Sequence, residues 1–164
     1  MCGFLTYLGE TFSTEEIKPY ADRISYRGPD NSRAEQVASN VNFFFHRLSI
    51  IDTSELGNQP LFLPEDSKIS LVCNGEIYNH KDLKSKFDFD TYSDSDCEVI
   101  LHLYKKFGIE KTLAMLDGVF AFTLYDGNTD ILYAARDPFG VRPAFFGKGL
   151  VENEIFFASE AKAI

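Results

Sequence analysis

The sequence of 164 residues has no tryptophan and only three cysteines, Cys2, Cys73 and Cys97. An odd and sparse set of this kind forms no disulfide framework, and it lacks the close pairing of a zinc site, so no metal site is expected. Reduced thiols in a cytoplasmic protein are the simplest reading. No apolar run approaches membrane-spanning length. The amino terminus, MCGFLTYLGE, lacks the basic segment and apolar stretch of a secretory signal. Positive charge is also scarce: 16 Lys and Arg against 25 Asp and Glu give a formal charge of −9. Nucleic acid or an anionic membrane would want a positive face, so neither partner is expected. There is no low-complexity segment, no repeat and no obvious linker. Cys2-Gly3-Phe4 does not resemble the start of a phosphate-binding glycine loop.

What is present is apolar and aromatic. Hydrophobic residues make up 45% of the chain, and Phe and Tyr supply its 15% aromatic share. That is enough for the core of one compact domain and excludes a disordered or fibrous chain. Short runs of Phe, Val, Ile and Tyr recur between turn residues, at Phe4–Leu8, Val41–Leu48, Ile69–Cys73, Val119–Tyr125, Ile131–Ala135, Ala144–Phe146 and Ile155–Ala158. Many are hydrophobic nearly throughout, which predicts strands buried on both faces. DGNTD at Asp126–Asp130 and GKGLVENE at Gly147–Glu154 read as strand-to-strand turns.

Helices are predicted at Asp96–Phe107, after Asn79, and over Ser13–Ile24. The first has a capping-box pair in Ser95 and Glu98, a stripe of Val99, Ile100, Leu103, Tyr104 and Phe107, and Gly108 to end it. Asn79 can cap the second, with Leu83 and Phe87 facing the core. The third has Ile17, Tyr20, Ala21 and Ile24 on one side and Pro19 inside it. Helices before and after antiparallel strands imply sheets covered by helices, an α+β arrangement rather than a doubly wound one.

Cys2 has a specific chemical meaning. Removal of Met1 would leave it with a free α-amine of pKa about 7.7–8.0 beside a thiol of about 8.5. The residue would then contain both a nucleophile and its base. Many proteins begin Met-Cys by chance, so position alone does not decide the matter.

LVCNGEIYNH, Leu71–His80, is the strongest internal motif. A strand end turning at Asn74-Gly75 could aim the Asn74 amide and the Gly75 N–H at one point, as an oxyanion hole requires. The same Asn-Gly pair would equally suit a hairpin turn. Arg47, in FFHRLSIID, follows an apolar run and offers a fork suited to a carboxylate, or to an internal acid. Asp96 starts the best helix; it could receive an ammonium group or merely serve the helix end. A carboxylate grip and an ammonium grip are what a free amino acid needs. YRGPD, NQPL and RDPFGVRP read as turns. Cys73 and Cys97 read as packed thiols, and His46, His80 and His102 as structural or surface residues.

In sequence order, MCG, RGPD, HRLSIID, NQPL, NGEIYNH, SDCEVILHLY, LDGVFAF, RDPFGVRP and ASEAKAI resemble the glutaminase domain of the asparagine synthetase family, a class II glutamine amidotransferase. The resemblance covers nearly the whole chain and implies one such domain over residues 1–164. It implies a four-layer sandwich of two antiparallel sheets between helical layers, as in amino-terminal-nucleophile hydrolases. It further implies that Cys2 attacks the side-chain amide of glutamine, releasing ammonia, and that water hydrolyses the γ-glutamyl thioester. Arg47 would hold the substrate carboxylate and Asp96 its ammonium. Asn74 and Gly75 would stabilise the oxyanion, Glu76 would help position glutamine, and Leu48, Ser49, Ile50 and Ile51 would wall the pocket.

The chain departs from the family in three respects. Tyr26 stands where the family has His before RGPD. The chain stops at Ile164, where the family continues with closing strands. No SGGxDS-type pyrophosphate loop occurs, so the synthetase domain is absent, and with it the expected site for ATP and magnesium; no cofactor is expected in this domain. A synthetase domain elsewhere is the expected partner. HRLSIID and NGEIYNH favour the asparagine-synthetase branch over systems making amino sugars or phosphoribosylamine. If Met1 were retained, a silent glutamine-binding or scaffold module is expected instead.

Overall fold

The Phe43-Phe44-Phe45 run shows why the central strands of this protein are apolar nearly throughout. In the computed structural model, which describes residues Met1–Ile164, these residues lie in β3 (Val41–Arg47), and all three are buried. Side chains alternate across a strand, so Phe43 and Phe45 face one core and Phe44 another. Neighbouring β1 (Gly3–Leu8) does the same, sending Phe4 to the first core and Leu5 and Tyr7 to the second.

The remaining strands are β2 (Asn31–Ala38), β4 (Leu61–Leu63), β5 (Asp66–Ile77), β6 (Gly118–Asp126), β7 (Ile131–Arg136), β8 (Phe145–Lys148) and β9 (Ile155–Ala158). They form two sheets, ordered β2-β3-β1-β9-β8 and β4-β5-β6-β7. Every pairing is antiparallel. Phe4, Phe43 and Phe45 of the first sheet meet Val72, Ala121 and Tyr125 of the second. The only polar link made by side chains inside this interface is a 2.6 Å hydrogen bond between the hydroxyls of Thr6 and Thr123.

Helices cover the outer faces. α1 (Thr14–Ala21) and a 3-10 segment, Asp22–Arg27, place Ile17, Ala21 and Ile24 against the first sheet. α2 (His80–Phe87), α3 (Val99–Phe107) and α4 (Ile109–Met115) place Leu83, Ile100, Leu103 and Leu113 against the second. The result is helix, sheet, sheet, helix, the α+β sandwich expected from the sequence.

Several local expectations are corrected. β5 runs straight through Asn74-Gly75 to end at Ile77 and pairs with β6 from Ile69 onward, so the strand does not turn at Asn74-Gly75 and forms no hairpin there. Ser95 makes no capping box. Glu98 is drawn instead to the N–H groups of Tyr92 and Ser93, and the helix begins with a 3-10 turn, Asp96–Glu98. Asn79 stands at the start of α2, but its side chain bonds to Met115 and Asp117 rather than capping. The real capping box is Ser13 with Glu16. Tyr20 is exposed, so the stripe on that helix is narrower than expected. Gly108, at φ 78°, ends α3 where expected.

Candidate active site

Pairing of β1 with β3 puts Gly3 opposite His46, which brings Cys2 beside Arg47 and Leu48. The Cys2 thiol lies 3.6 Å from the Leu48 carbonyl oxygen, and the Leu48 N–H donates to the sulfur at 3.4 Å. Arg27 Nε donates to the Cys2 carbonyl at 2.8 Å, which fixes the backbone behind the thiol. Burial pushes the Cys2 thiol pKa up, against the Leu48 hydrogen bond, the amino terminus and Arg47, which pull it down. A thiol raised in this way needs a base to become a nucleophile.

Across a pocket of about 60 Å3 stands the end of β5. The walls include Cys2, Arg47, Leu48, Ile50, Ile51, Asn74, Gly75, Glu76 and Asp96, residues the sequence scatters over four segments. Ser49 is not part of the wall; its N–H donates to Asp30 at 2.7 Å, which fixes the loop from outside. Met1 is part of the wall, and while it is attached the Cys2 nitrogen belongs to a peptide bond.

Asn74 is 2% exposed, and its side-chain nitrogen is buried without a hydrogen-bond partner. An unsatisfied buried amide costs about 1–3 kcal/mol, so a fold that keeps one has left a donor for something else. Alternation puts Asn74 on the same face as Val72, towards the first sheet and Cys2. Residues i and i+2 turn their N–H groups to the same strand edge. The N–H of Cys73 is taken by Gln59 at 2.6 Å and that of Ile77 by Asp96 at 2.6 Å. The Gly75 N–H lies between them on that edge. A Cβ at Gly75 would stand 2.6 Å from the Val119 carbonyl oxygen and 2.7 Å from Phe120 Cα, so only glycine lets the two strands approach here.

Arg47 is 6% exposed. Its Nη1 donates to the Ser54 carbonyl and to Asn58 Oδ1, each at 2.7 Å, and its Nη2 to the Asp52 carbonyl. Of the five guanidinium donors, three are used by the protein and two are left. Asp96 gives one oxygen to Ile77 and keeps the other for the pocket. Burial raises the Asp96 pKa, and Glu76 adds to this, against the Ile77 N–H and His80. One spare cationic fork and one spare carboxylate oxygen thus flank a thiol and an unpaired amide.

The profile of the glutamine amidotransferase domain family matches residues 1–164. The chain belongs to that family. Its class is enzymatic. Over its full length the amidotransferase is 43% identical to the glutamine-hydrolyzing asparagine synthetase of Rattus norvegicus and 41% identical to that of Homo sapiens. It spans 29% of the length of either relative. The solved structure of glutamine phosphoribosylpyrophosphate amidotransferase from B. subtilis matches 99% of this chain and 42% of its own. The TM-score is 0.77 and the identity 24%, which shows a shared fold.

Sequence reasoning missed several residues that build this pocket. Gln59, in a segment read only as a turn, clamps both backbone groups of Cys73, donating to its carbonyl at 3.1 Å and accepting from its N–H. Asn58 orients Arg47. Arg27, in YRGPD, holds Cys2 and pairs with Glu160 at 2.8 Å. Arg142, in RDPFGVRP, reaches Glu76 at 2.7 Å. The one available signal was a side chain able to make two hydrogen bonds in a tight turn; its target could not be read from spacing. Cys73 and Cys97 are packed thiols as expected, but they too border the pocket. His46 is held by Ala21 and Ser32 and serves the core.

Proposed function

We propose that this domain hydrolyses glutamine to glutamate and ammonia through a γ-glutamyl thioester on Cys2. Once Met1 is removed, the α-amine of Cys2 takes the thiol proton, and the sulfur attacks the amide carbon of the side chain. Asn74 and the Gly75 N–H stabilise the negative oxygen of the tetrahedral intermediate. The amine returns its proton to the departing nitrogen, which leaves as ammonia. Water then adds to the thioester, glutamate departs, and the thiol is restored. Arg47 grips the substrate α-carboxylate, and Asp96 and Glu76 its α-ammonium. Leu48, Ile50 and Ile51 line the wall, while Ser49 contributes through the loop backbone.

The observation that carries this reading is the unpartnered Asn74 amide, buried in the same pocket as Cys2. A pocket that served only to pack would have satisfied it. The reading requires no cofactor in this domain. The asparagine-synthetase likeness supports delivery of the ammonia to a synthetase domain outside this chain, where ATP and magnesium would act. No helix is long and apolar enough to cross a membrane.

Two measurements on one preparation test the proposal. The mass of the amino-terminal peptide should show that Met1 is gone. Glutamate release should fall at least about 1000-fold in Cys2→Ala, because removing a covalent nucleophile abolishes its pathway. Retained Met1 would favour a silent glutamine-binding or scaffold module, and equal activity in both proteins would remove the enzymatic reading.

A further inference from the structure

Arg142 lies on the segment that leaves β7, and that segment is held without its guanidinium. The Asp137 carboxylate accepts from the N–H groups of Val141 at 2.9 Å, Arg142 at 3.0 Å and Phe120 at 3.3 Å. Arg136 closes the same bend from the other side, donating to the carbonyls of Gly140 and Arg142. Backbone groups of residue 142 are therefore part of the bend, while its side chain is directed to the pocket.

There the Arg142 Nη2 donates to Glu76 Oε1 at 2.7 Å. The pairing is asymmetric: the arginine side chain is 14% exposed and the glutamate 42%. The cation is the anchored partner and the carboxylate the one presented outward. Nη1 meets only the sulfur of Met1, a weak acceptor, and Nε is buried without any acceptor. Loss of Met1 would release a further donor from this guanidinium at the mouth of the pocket.

We propose that Arg142 is a substrate-positioning residue, acting through Glu76 to hold a carboxylate where the α-ammonium of glutamine docks. This inference rests on the glutaminase reading. Of the three carboxylates that line the pocket, Asp52 is occupied by the N–H groups of Ser54 and Asp94, while Glu76 and Asp96 share it with the spare fork of Arg47. A zwitterionic substrate brings one charge of each sign, so an uncompensated Glu76 would repel its carboxylate while attracting its ammonium. Arg142 neutralises Glu76 and removes its rotamer freedom, which leaves the oxygen preorganised for the ammonium. Cys2 and Asn74 lie outside this link, so its loss falls on binding rather than chemistry.

The test is steady-state ammonia release by the processed protein. Arg142→Ala should raise the KM for glutamine about 10-fold and leave kcat within about twofold, the signature of lost uniform binding. Arg142→Lys should recover part of the loss. With glutaramate, which is glutamine without its α-amine, the difference between native and Arg142→Ala should shrink towards none. The double variant Arg142→Ala/Glu76→Ala should bind glutamine no worse than Glu76→Ala alone. An unchanged KM, a fall confined to kcat, an equal penalty on glutaramate, or additive losses would each overturn the inference. Should Arg142→Ala not fold, Arg142→Lys and Glu76→Gln probe the same link with the bend intact, and native behaviour in both would overturn it. Native protein releasing no ammonia, or releasing it independently of Cys2, would instead overturn the glutaminase reading beneath.

Discussion

Asp96 and Glu98 lie two residues apart in one turn, and both are buried. Glu98 accepts from the N–H groups of Tyr92 and Ser93, each at 2.9 Å, from the Ser93 hydroxyl, and contacts His102 at 3.2 Å. Asp96 accepts from Ile77 alone among neighbouring segments. The same contrast separates the pocket from the shell around it. Gln59 spends both ends of its amide on Cys73, whereas Asn74, on the next residue of that strand, keeps its nitrogen unpaired. Burial alone does not distinguish a structural polar group from a functional one; unused hydrogen-bonding capacity that faces the pocket does.

Four substitutions could break this contrast. Glu98→Ala strands two buried N–H groups, a hydroxyl and a histidine, so it should cost about 3–5 kcal/mol in denaturant unfolding. Any molecules still folded should keep the native kcat. Asn74→Ala should do the reverse, lowering kcat about 100- to 1000-fold with little change in KM or melting temperature, as removal of an oxyanion donor does. An equal loss of stability would mean that Asn74 belongs to the shell.

Asp96→Asn should raise the KM for glutamine about 10- to 100-fold. Because burial raises the Asp96 pKa, folding opposes its charged form, so stability contributed by the protonated form is lost as pH rises through the folded value. At neutral pH the amide should therefore leave the melting temperature unchanged or raise it. In the native protein the acid limb of kcat/KM should lie above the ordinary carboxylate pKa of 3.8. An acid limb at or below that value would deny Asp96 its part in binding.

The smallest effect concerns Glu160, which Tyr26, Arg27 and Lys162 hold at a pKa of about 2 although partial burial opposes this. A depressed carboxyl stabilises the fold above its unfolded value of 4.5, and that contribution disappears as pH falls towards 2. Glu160→Gln should flatten acid unfolding in this window. Arg27 links Glu160 to the carbonyl of Cys2, so a modest fall in kcat is also expected.

The sequence made the pocket's chemistry more legible than its construction. Cys2, Arg47, Asn74, Gly75 and Asp96 stood out because each residue type has a narrow chemical use, and Glu76 through the family resemblance; the structure brings all six to one pocket. The strands could be read because burial on both faces leaves unbroken apolar runs. β2 could not: it is an edge strand, largely exposed, and its NSRAEQVA resembles a loop. β4 is three residues long and leaves no period to detect. The capping box misassigned to Ser95 and Glu98 had the right spacing, but tertiary donors won Glu98. Asn74-Gly75 looked like a bend because glycine usually marks one; here it allows close strand approach. Arg27, Gln59 and Arg142 were hidden for a simpler reason, since their partners are remote in sequence.

The most direct measurement is the mass of the residue-2 peptide after acid quenching of protein mixed with glutamine. A γ-glutamyl adduct on the Cys2 sulfur, in chains that have lost Met1 and not in those that retain it, is the predicted result. Glutamate formed with no adduct, or with the adduct on another residue, would contradict it.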